Sequence, residues 1–521
     1  MRLIDVETKL SDRFQNGFVP ISSIPKPSLL KDSEKASKRI VEAIQKNERI
    51  TVIGDYDVDG VTSSSIIYLF FKELGVDIEI VIPNRFKDDY GITPSLLDRV
   101  DADLVITVDN GIHGFSSAEI LKKRGTDLII TDHHNPSDSI PDAFAIVNPK
   151  QKDCEYPYKD ICGAQVIWLL LAEVKKVLNF QIDMGQYLDL VAIAIISDVM
   201  PITNLNHSLV KLGLKKFPQN RRFANQVLMD RVFKDKRYII SDDVAFQISP
   251  RLNSSGRMED ATLSFQFLVA DNYLEAVELF ERINQLNIER KGVEKAIFQK
   301  VVESVDSSNP IILHYGEDLH EGVIGIVASR VVDRFQKPAF IFSLKNGVLK
   351  GSGRSLGNVD IFQVLKDAQH LFLKWGGHKM AGGLSLKIEN FKEFQKSTFK
   401  TMERFSKDDF QEKSKVFGEL DILDLDLELF SVLDKFEPFG NENEKPVFQL
   451  KDVLVKKSFR MGSEKQFQKL VVEKNSKEID VVVFSDIEDI QIGDKISFSY
   501  RPSLNSFRNK TTVQAMFYKM L

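Results

Sequence analysis

The stretch Ile50-Thr51-Val52-Ile53-Gly54-Asp55-Tyr56-Asp57-Val58-Asp59-Gly60 decides the fold. Four apolar or β-branched residues read as a buried strand, and a glycine and three aspartates end it abruptly. The same layout recurs twice downstream. Residues 104–108 are apolar and end in Asp109, and 128–131 end in Asp132-His133-His134. Further strand patterns lie at 78–82 and 145–147. Residues 62–74 read as a helix, with Gly75 where a left-handed cap would close it. Short strands alternating with helices specify an α/β fold with a parallel sheet. Such a sheet delivers its ligand-binding residues at the carboxyl ends of the strands.

Acid and imidazole groups gathered at one sheet edge point to a divalent metal site. Carboxylates with one or two imidazoles suit magnesium or manganese better than zinc. Asp55, Asp57 and Asp59 align on one face if their segment is extended and converge if it is a tight loop. A lone Asp-x-Asp is more often a helix cap beside solvated turn residues. Asp109 and the Asp-His-His triplet at the same edge favour metal binding here. Asp55, Asp57, Asp59, Asp109, His133 and Asp198 exceed what one magnesium-like ion takes from protein, so two ions are expected, sharing Asp59 or Asp109. Paired ions of this kind carry out hydrolytic phosphoryl chemistry. His134 is free to contact phosphate or donate a proton, or is simply packed locally.

The 521 residues suffice for two to four domains, and 43% hydrophobic with 28% charged residues is an ordinary globular balance. Residues 1–12 lack the layout of a signal peptide, and the longest apolar run, 190–196, is far short of a membrane span. Cys154 and Cys162 have neither metal nor redox spacing, so a reducing cytoplasm is expected, with no membrane association. From Lys445 onward 14 Lys and Arg face 9 Asp and Glu, a balance of +5 that leaves −10 for the preceding residues within the net −5. A uniform negative charge would argue against nucleic acid; a basic tail on an acidic body removes that objection.

The expected division is an N-terminal segment over 1–44, the parallel-sheet domain over 45–270 and a connector helix over 271–306. A second α/β domain over 307–400, a linking region over 401–444 and a small β-barrel of the OB type over 445–521 complete it. The barrel is read from five short strand patterns with polar turns. In that tail Phe459, Phe467, Phe498, Tyr500, Phe507 and Tyr518 interleave with Lys456, Lys457, Arg460, Lys465, Arg501, Arg508 and Lys510. Aromatic faces stack bases and cations track phosphates in single-strand-binding barrels, although most of these rings belong to the core.

Gly54–Gly60, Val108-Asp109-Asn110-Gly111, Asp132-His133-His134 and Ser197-Asp198-Val199 stand in the order and style of the DHH phosphoesterase superfamily. Arg251-Leu252-Asn253 with Gly256-Arg257-Met258, the segment 322–330, Gly351-Ser352-Gly353-Arg354-Ser355 and Gly376-Gly377-His378 resemble the RecJ exonuclease family. So does Pro438-Phe439-Gly440-Asn441-Glu442-Asn443 leading into Pro446-Val447-Phe448. The resemblance covers nearly all of residues 40–520. It implies a DHH domain, a DHH-associated substrate-binding domain and a C-terminal OB fold. It implies two-metal 5′→3′ hydrolysis of single-stranded DNA to 5′-mononucleotides in recombination and repair, with manganese or magnesium as cofactor. Asp57, Asp59, Asp109, His133 and Asp198 match the family's metal ligands, Asp55 lies in or beside them, and Asp132 would orient His133. Arg251, Asn253 and Arg257 look like a phosphate-binding arginine loop, and Ser352, Arg354 and His378 would grip the substrate; Arg85 is a further candidate. A monomer working with single-strand-binding protein and a helicase is the expected setting. The alternatives are a small-substrate DHH phosphoesterase, which generally lacks a basic OB tail, and a scaffold that has lost catalysis, against which the complete ligand set speaks.

Overall fold

The apolar runs of the first half are strands. β1 (Ile50–Ile53), β2 (Glu79–Val81), β3 (Leu104–Val108), β4 (Asp127–Thr131) and β5 (Ala145–Val147) form a parallel sheet in the order β2-β1-β3-β4-β5. β1, β3 and β5 are buried along their whole length, as a parallel sheet covered on both faces requires. Helix α1 (Ser33–Lys46) packs beside β5, and α2 (Val58–Leu74) packs on α3 (Gly163–Leu178) and α4 (Leu188–Ser197). Gly75 closes α2 at φ +69°. The chain leaves β1 toward β2 on one side and returns to β3 on the other, so the sheet's switch point, where α/β ligands bind, lies between β1 and β3.

The computed structural model describes residues 1–521 apart from 15–16, 89, 235, 412–415, 463–464, 466, 485–488 and 508–509, and apart from the side chains of 506–510. Arg508 and the side chains of Phe507 and Lys510, expected to serve the tail, therefore lie outside the described residues. The contacts form two compact units. One comprises Pro25–Asp198 and Gly213–Lys413, the other Met1–Ile24, Val199–Leu212 and Ser414–Leu521. The N-terminal segment expected over 1–44 is thus divided between them. Among the described residues no helix is long and apolar enough to cross a membrane.

Within the first unit, α5 (Ser249–Met258) and the 32-residue connector α6 (Tyr273–Ser304) lead to a second sheet. Its strands are β6 (Ile312–Glu317), β7 (Ala339–Lys345), β8 (Val348–Arg354), β9 (Phe372–His378) and β10 (Ala381–Lys387), in the order β6-β7-β8-β10-β9. Helix α7 (Glu321–Phe335) covers β7 and β8. The arginine segment 251–257 is helical, which corrects the loop that the family resemblance implied. Gly256 serves close approach rather than a turn: a Cβ there would lie 2.5 Å from the Tyr56 carbonyl oxygen.

In the second unit β11 (Val416–Glu419) runs parallel to β12 (Val447–Met461), and β12, β13 (Phe467–Lys474), β14 (Lys477–Val483), β15 (Lys495–Phe507) and β16 (Lys510–Met520) close a barrel, since β12 pairs with both β13 and β15. Among its described residues the parallel β14–β16 pairing departs from an antiparallel meander. Phe448, Phe498 and Tyr500 fill the interior with Val6 and Leu10 of the amino-terminal helix.

Candidate metal centre and its cationic rim

Three loops at the switch point carry the acids. Asp57 caps α2 by accepting from the Gly60 amide at 3.1 Å, which sets Asp59 in the first helical turn. A Cβ at residue 60 would fall 2.5 Å from the Asp55 carbonyl oxygen, so glycine lets the helix begin against that strand end. The three aspartates therefore converge around a helix start instead of lining one strand face. Asp109 stands at φ +63° after β3, a conformation aspartate tolerates better than most residues. Asp198 ends α4, its amide donating to the Ala194 carbonyl at 2.9 Å.

Sequence reading missed the amides that hold Asp59. The Gly163 and Ala164 N–H groups, at the start of α3, donate to its two oxygens at 2.6 and 2.8 Å. The positive end of a long helix thus stabilises one carboxylate of the cluster. The signal was the run of small residues, Cys162-Gly163-Ala164, opening an apolar helix.

His133 Nε2 lies 3.1 Å from Asp109, 3.6 Å from Asp198 and 3.7 Å from Asp59. Burial depresses its pKa to about 3, so the ring is neutral and can offer a lone pair. Burial and the neighbouring aspartates raise Asp55 and Asp109 well above the usual range, Asp59 to about 6 and Asp198 to about 8. Such a group of anions does not stay ionised together without cations. Asp109 Oδ1 and Asp198 Oδ2 are also buried without a hydrogen-bond partner. The donor set therefore fits divalent ions. Ligand atoms of Asp59, His133 and Asp198 converge within 4.8 Å, as do those of Asp55, Asp57 and Asp109, and those of Asp109, His133 and His134. Of the two carboxylates considered for the shared position, Asp109 belongs to two of these three groupings and Asp59 to one.

Asp132 does not orient the His133 ring, as expected, but the next residue. Its buried carboxylate accepts from the backbone amides of His133, His134 and Ile112 at 2.7, 3.0 and 2.9 Å, and from His134 Nδ1 at 2.7 Å. The reason is local: the chain bends after β4, so the nearest ring is the one two residues on. Burial opposes the charged forms, yet the pair outweighs it, taking Asp132 to about 2 and His134 to about 9. His134 Nε2 faces the Tyr90 hydroxyl at 3.4 Å.

The cations sort into two groups. Arg85 lies over the Tyr56 ring at 4.0 Å and donates to the Gly256 carbonyl at 3.2 Å. Arg257 donates to the Gly322 carbonyl at 3.2 Å. Burial, with the charges of Arg85, Arg290 and Arg354, lowers Arg257 to about 10. Among the described residues Arg354 on β8 reaches only Ser352 Oγ and the Gly353 carbonyl. Arg85, Arg257 and Arg354 thus form a cluster without a carboxylate partner among the described residues, beside the field of Asp57. Arg290, hidden in the charge-rich connector, is a member that sequence reading missed, though Asn287 and Glu294 hold it. Arg251 is not brought in: Asn284 and Gln247 occupy its guanidinium. Asn253 is half-buried on α5, and His378 is exposed at the end of the edge strand β9.

On the barrel Phe459 and Tyr518 are exposed, the latter beneath Arg501 at 5.3 Å, whereas Phe498 and Tyr500 are core. Lys456 and Arg460 are partly neutralised by Glu473 and Asp489.

Three family models match the chain: the DHH family N-terminal domain over residues 49–195, the DHHA1 domain over 307–404 and the RecJ OB domain over 418–519. The chain is 32% identical to the single-stranded-DNA-specific exonuclease RecJ of Bacillus subtilis over 94% of its own length and 63% of the relative's. It is 32% identical to the Escherichia coli protein of the same name over 80% of its length and 77% of the relative's. The crystal structure of RecJ from Thermus thermophilus in complex with Mn2+ superimposes with a TM-score of 0.83 at 28% identity, over 94% of this chain and 72% of that one. A structure of the same protein with Mg2+ gives a TM-score of 0.76 at 26% identity, over 94% and 70%.

Proposed function

Because the chain belongs to the RecJ family of single-stranded-DNA-specific exonucleases, we propose that it hydrolyses single-stranded DNA from the 5′ end, releasing 5′-mononucleotides. The observation that carries this reading is the meeting of six ligand-type side chains at the sheet's switch point with an arginine cluster beside them that has no carboxylate partner among the described residues. Asp55, Asp57 and Asp109 would hold one divalent ion, and Asp59, His133 and Asp198 a second. Manganese or magnesium bound there supplies water activation and neutralisation of phosphate charge.

The chain's own residues do the rest. Arg85, Arg257 and Arg354 bind phosphate oxygens, with Ser352 orienting Arg354. His134, kept charged by Asp132, holds a proton that passes to the departing 3′ oxygen of the terminal nucleotide. Cleavage of that bond leaves a new 5′-phosphate on the shortened strand, so each product presents the group the arginines bind. Asn253 and His378 lie farther along the strand's path, while Arg251 acts by bracing α5 against the connector. Phe459 and Tyr518 of the barrel stack bases of the extended strand. The protein works as a cytoplasmic monomer in recombination and repair, taking strands opened by a helicase and covered by single-strand-binding protein. The test compares long single strands, duplexes and dinucleotides with manganese or magnesium present. Rapid loss of the long single strand alone is expected; activity confined to dinucleotides would favour a small-substrate phosphoesterase.

A further inference from the structure

Val199, the residue after Asp198, sits at φ +55°. A β-branched residue adopts this left-handed conformation only at a cost. Burial does not explain it, because the side chain is 65% exposed. Hydrogen bonds do. Asn441 Nδ2 donates to the Val199 carbonyl at 2.9 Å, and the Ile202 amide donates to the Asn441 carbonyl at 2.7 Å. One residue therefore clips the segment 199–202 at both ends.

The clip is itself rigid. Asn443 is fully buried and donates Nδ2 to the carbonyls of Phe436 and Pro438, both at 3.0 Å. Gly440 and Asn443 close a short bridge. Gly440 also admits Ile202 so closely that a Cβ would lie 2.5 Å from Ile202 Cγ1. The Asn441 side chain is exposed and fills no core. Its amide serves the Val199 carbonyl.

Asp198 has few anchors of its own. Its amide closes α4, but Oδ2 is buried without a partner. The direction of the carboxylate is set by the backbone on either side, and Val199 is one of those sides. We propose that Asn441 is a positioning residue for the hydrolysis: by holding Val199 left-handed it fixes the Asp198 carboxylate in the metal centre. This rests on the reading of Asp198 as a metal ligand. Without the clip Val199 relaxes toward extended backbone, the preceding peptide turns, and Asp198 leaves its place opposite His133.

The experiment titrates manganese into the full chain by calorimetry and records the melting temperature of the metal-free protein. Asn441→Ala should weaken manganese binding about tenfold, the scale of the strain a left-handed β-branched residue carries, with little change in metal-free melting. Asn441→Asp, nearly the same shape without the donor, should match it. Val199→Gly in the Asn441→Ala background should restore binding to within about twofold, since glycine takes a positive φ freely. A merely structural role would shift melting and show no such rescue. Unchanged manganese binding in Asn441→Ala, or no rescue by Val199→Gly, overturns the proposal. Asp198→Ala separates the two levels. If it weakens binding while Asn441→Ala does not, only the positioning role fails; if it leaves binding unchanged, the reading of Asp198 as a ligand fails with it.

Discussion

Gly163→Ala probes the centre from behind. Residue 163 opens α3, and its amide holds Asp59 at 2.6 Å. A Cβ there would stand 2.6 Å from Asp109 Cβ and 2.7 Å from Asp109 Oδ1, whereas ordinary contacts begin near 3.4 Å. Relief requires Asp109 or the helix start to move by roughly an ångström. Alanine is the better helix former by under about 1 kcal/mol, but overpacking of this kind costs about 1–3 kcal/mol, so the clash wins. A displacement of that size at a reacting centre costs about a hundredfold in rate. The assay is manganese-dependent release of a 5′ label from a single strand, alongside circular dichroism and manganese calorimetry. Folded Gly163→Ala with rate and manganese affinity within threefold of the parent would refute the placement of Asp109 in the site.

Arg354→Ala should weaken single-strand binding and flatten its salt dependence by about one counterion; an unchanged slope with lower turnover would instead put Arg354 at the reacting phosphate. Because Asp59 titrates near 6 and Asp198 near 8, manganese binding should release protons below about pH 8 and weaken as pH falls, which calorimetry in two buffers of different ionisation enthalpy measures. His207 is buried between Phe14 and Phe18, and burial lowers its pKa to about 4 against an ordinary ~6.5. A depressed histidine contributes stability that is whole above pH ~6.5 and lost as pH falls toward 4, about 3 kcal/mol in all. Denaturation at pH 7 and pH 4.5 should show this loss, and His207→Gln, which retains a donor for the Phe436 carbonyl, should flatten it.

The convergence of the candidate ligands was legible because Asp55, Asp109 and the Asp132-His133 pair stand where apolar runs stop. A carboxylate after a buried strand has few other reasons to be there, and Asp55, Asp109 and His133 all meet at one edge. The barrel was legible from five short strand patterns separated by polar turns. What failed were expectations carried over with the resemblance. Residues 251–257 were expected to form an arginine loop, yet Ser255 donates to the Leu252 carbonyl within a helix and Gly256 makes room for Tyr56. Asp132 was paired with the adjacent imidazole because sequence distance does not reveal which ring the bend after β4 brings back. Arg290 was lost among the charges of the connector, where only the fold shows that it faces Arg257. Residues 1–24 carry no local pattern that ties them to a barrel more than four hundred residues away, although the Met1 amino group donates to the Glu419 carbonyl.

The central claim is hydrolysis from the 5′ end at the centre built by Asp109 and His133. A single strand carrying distinguishable labels at its two ends, incubated with manganese, tests it most directly when the parent protein and His133→Ala are compared side by side. The parent should release the 5′ label first, as a mononucleotide, and His133→Ala should release neither label while still binding the strand. Early appearance of the 3′ label, or near-normal release by His133→Ala, would contradict the account.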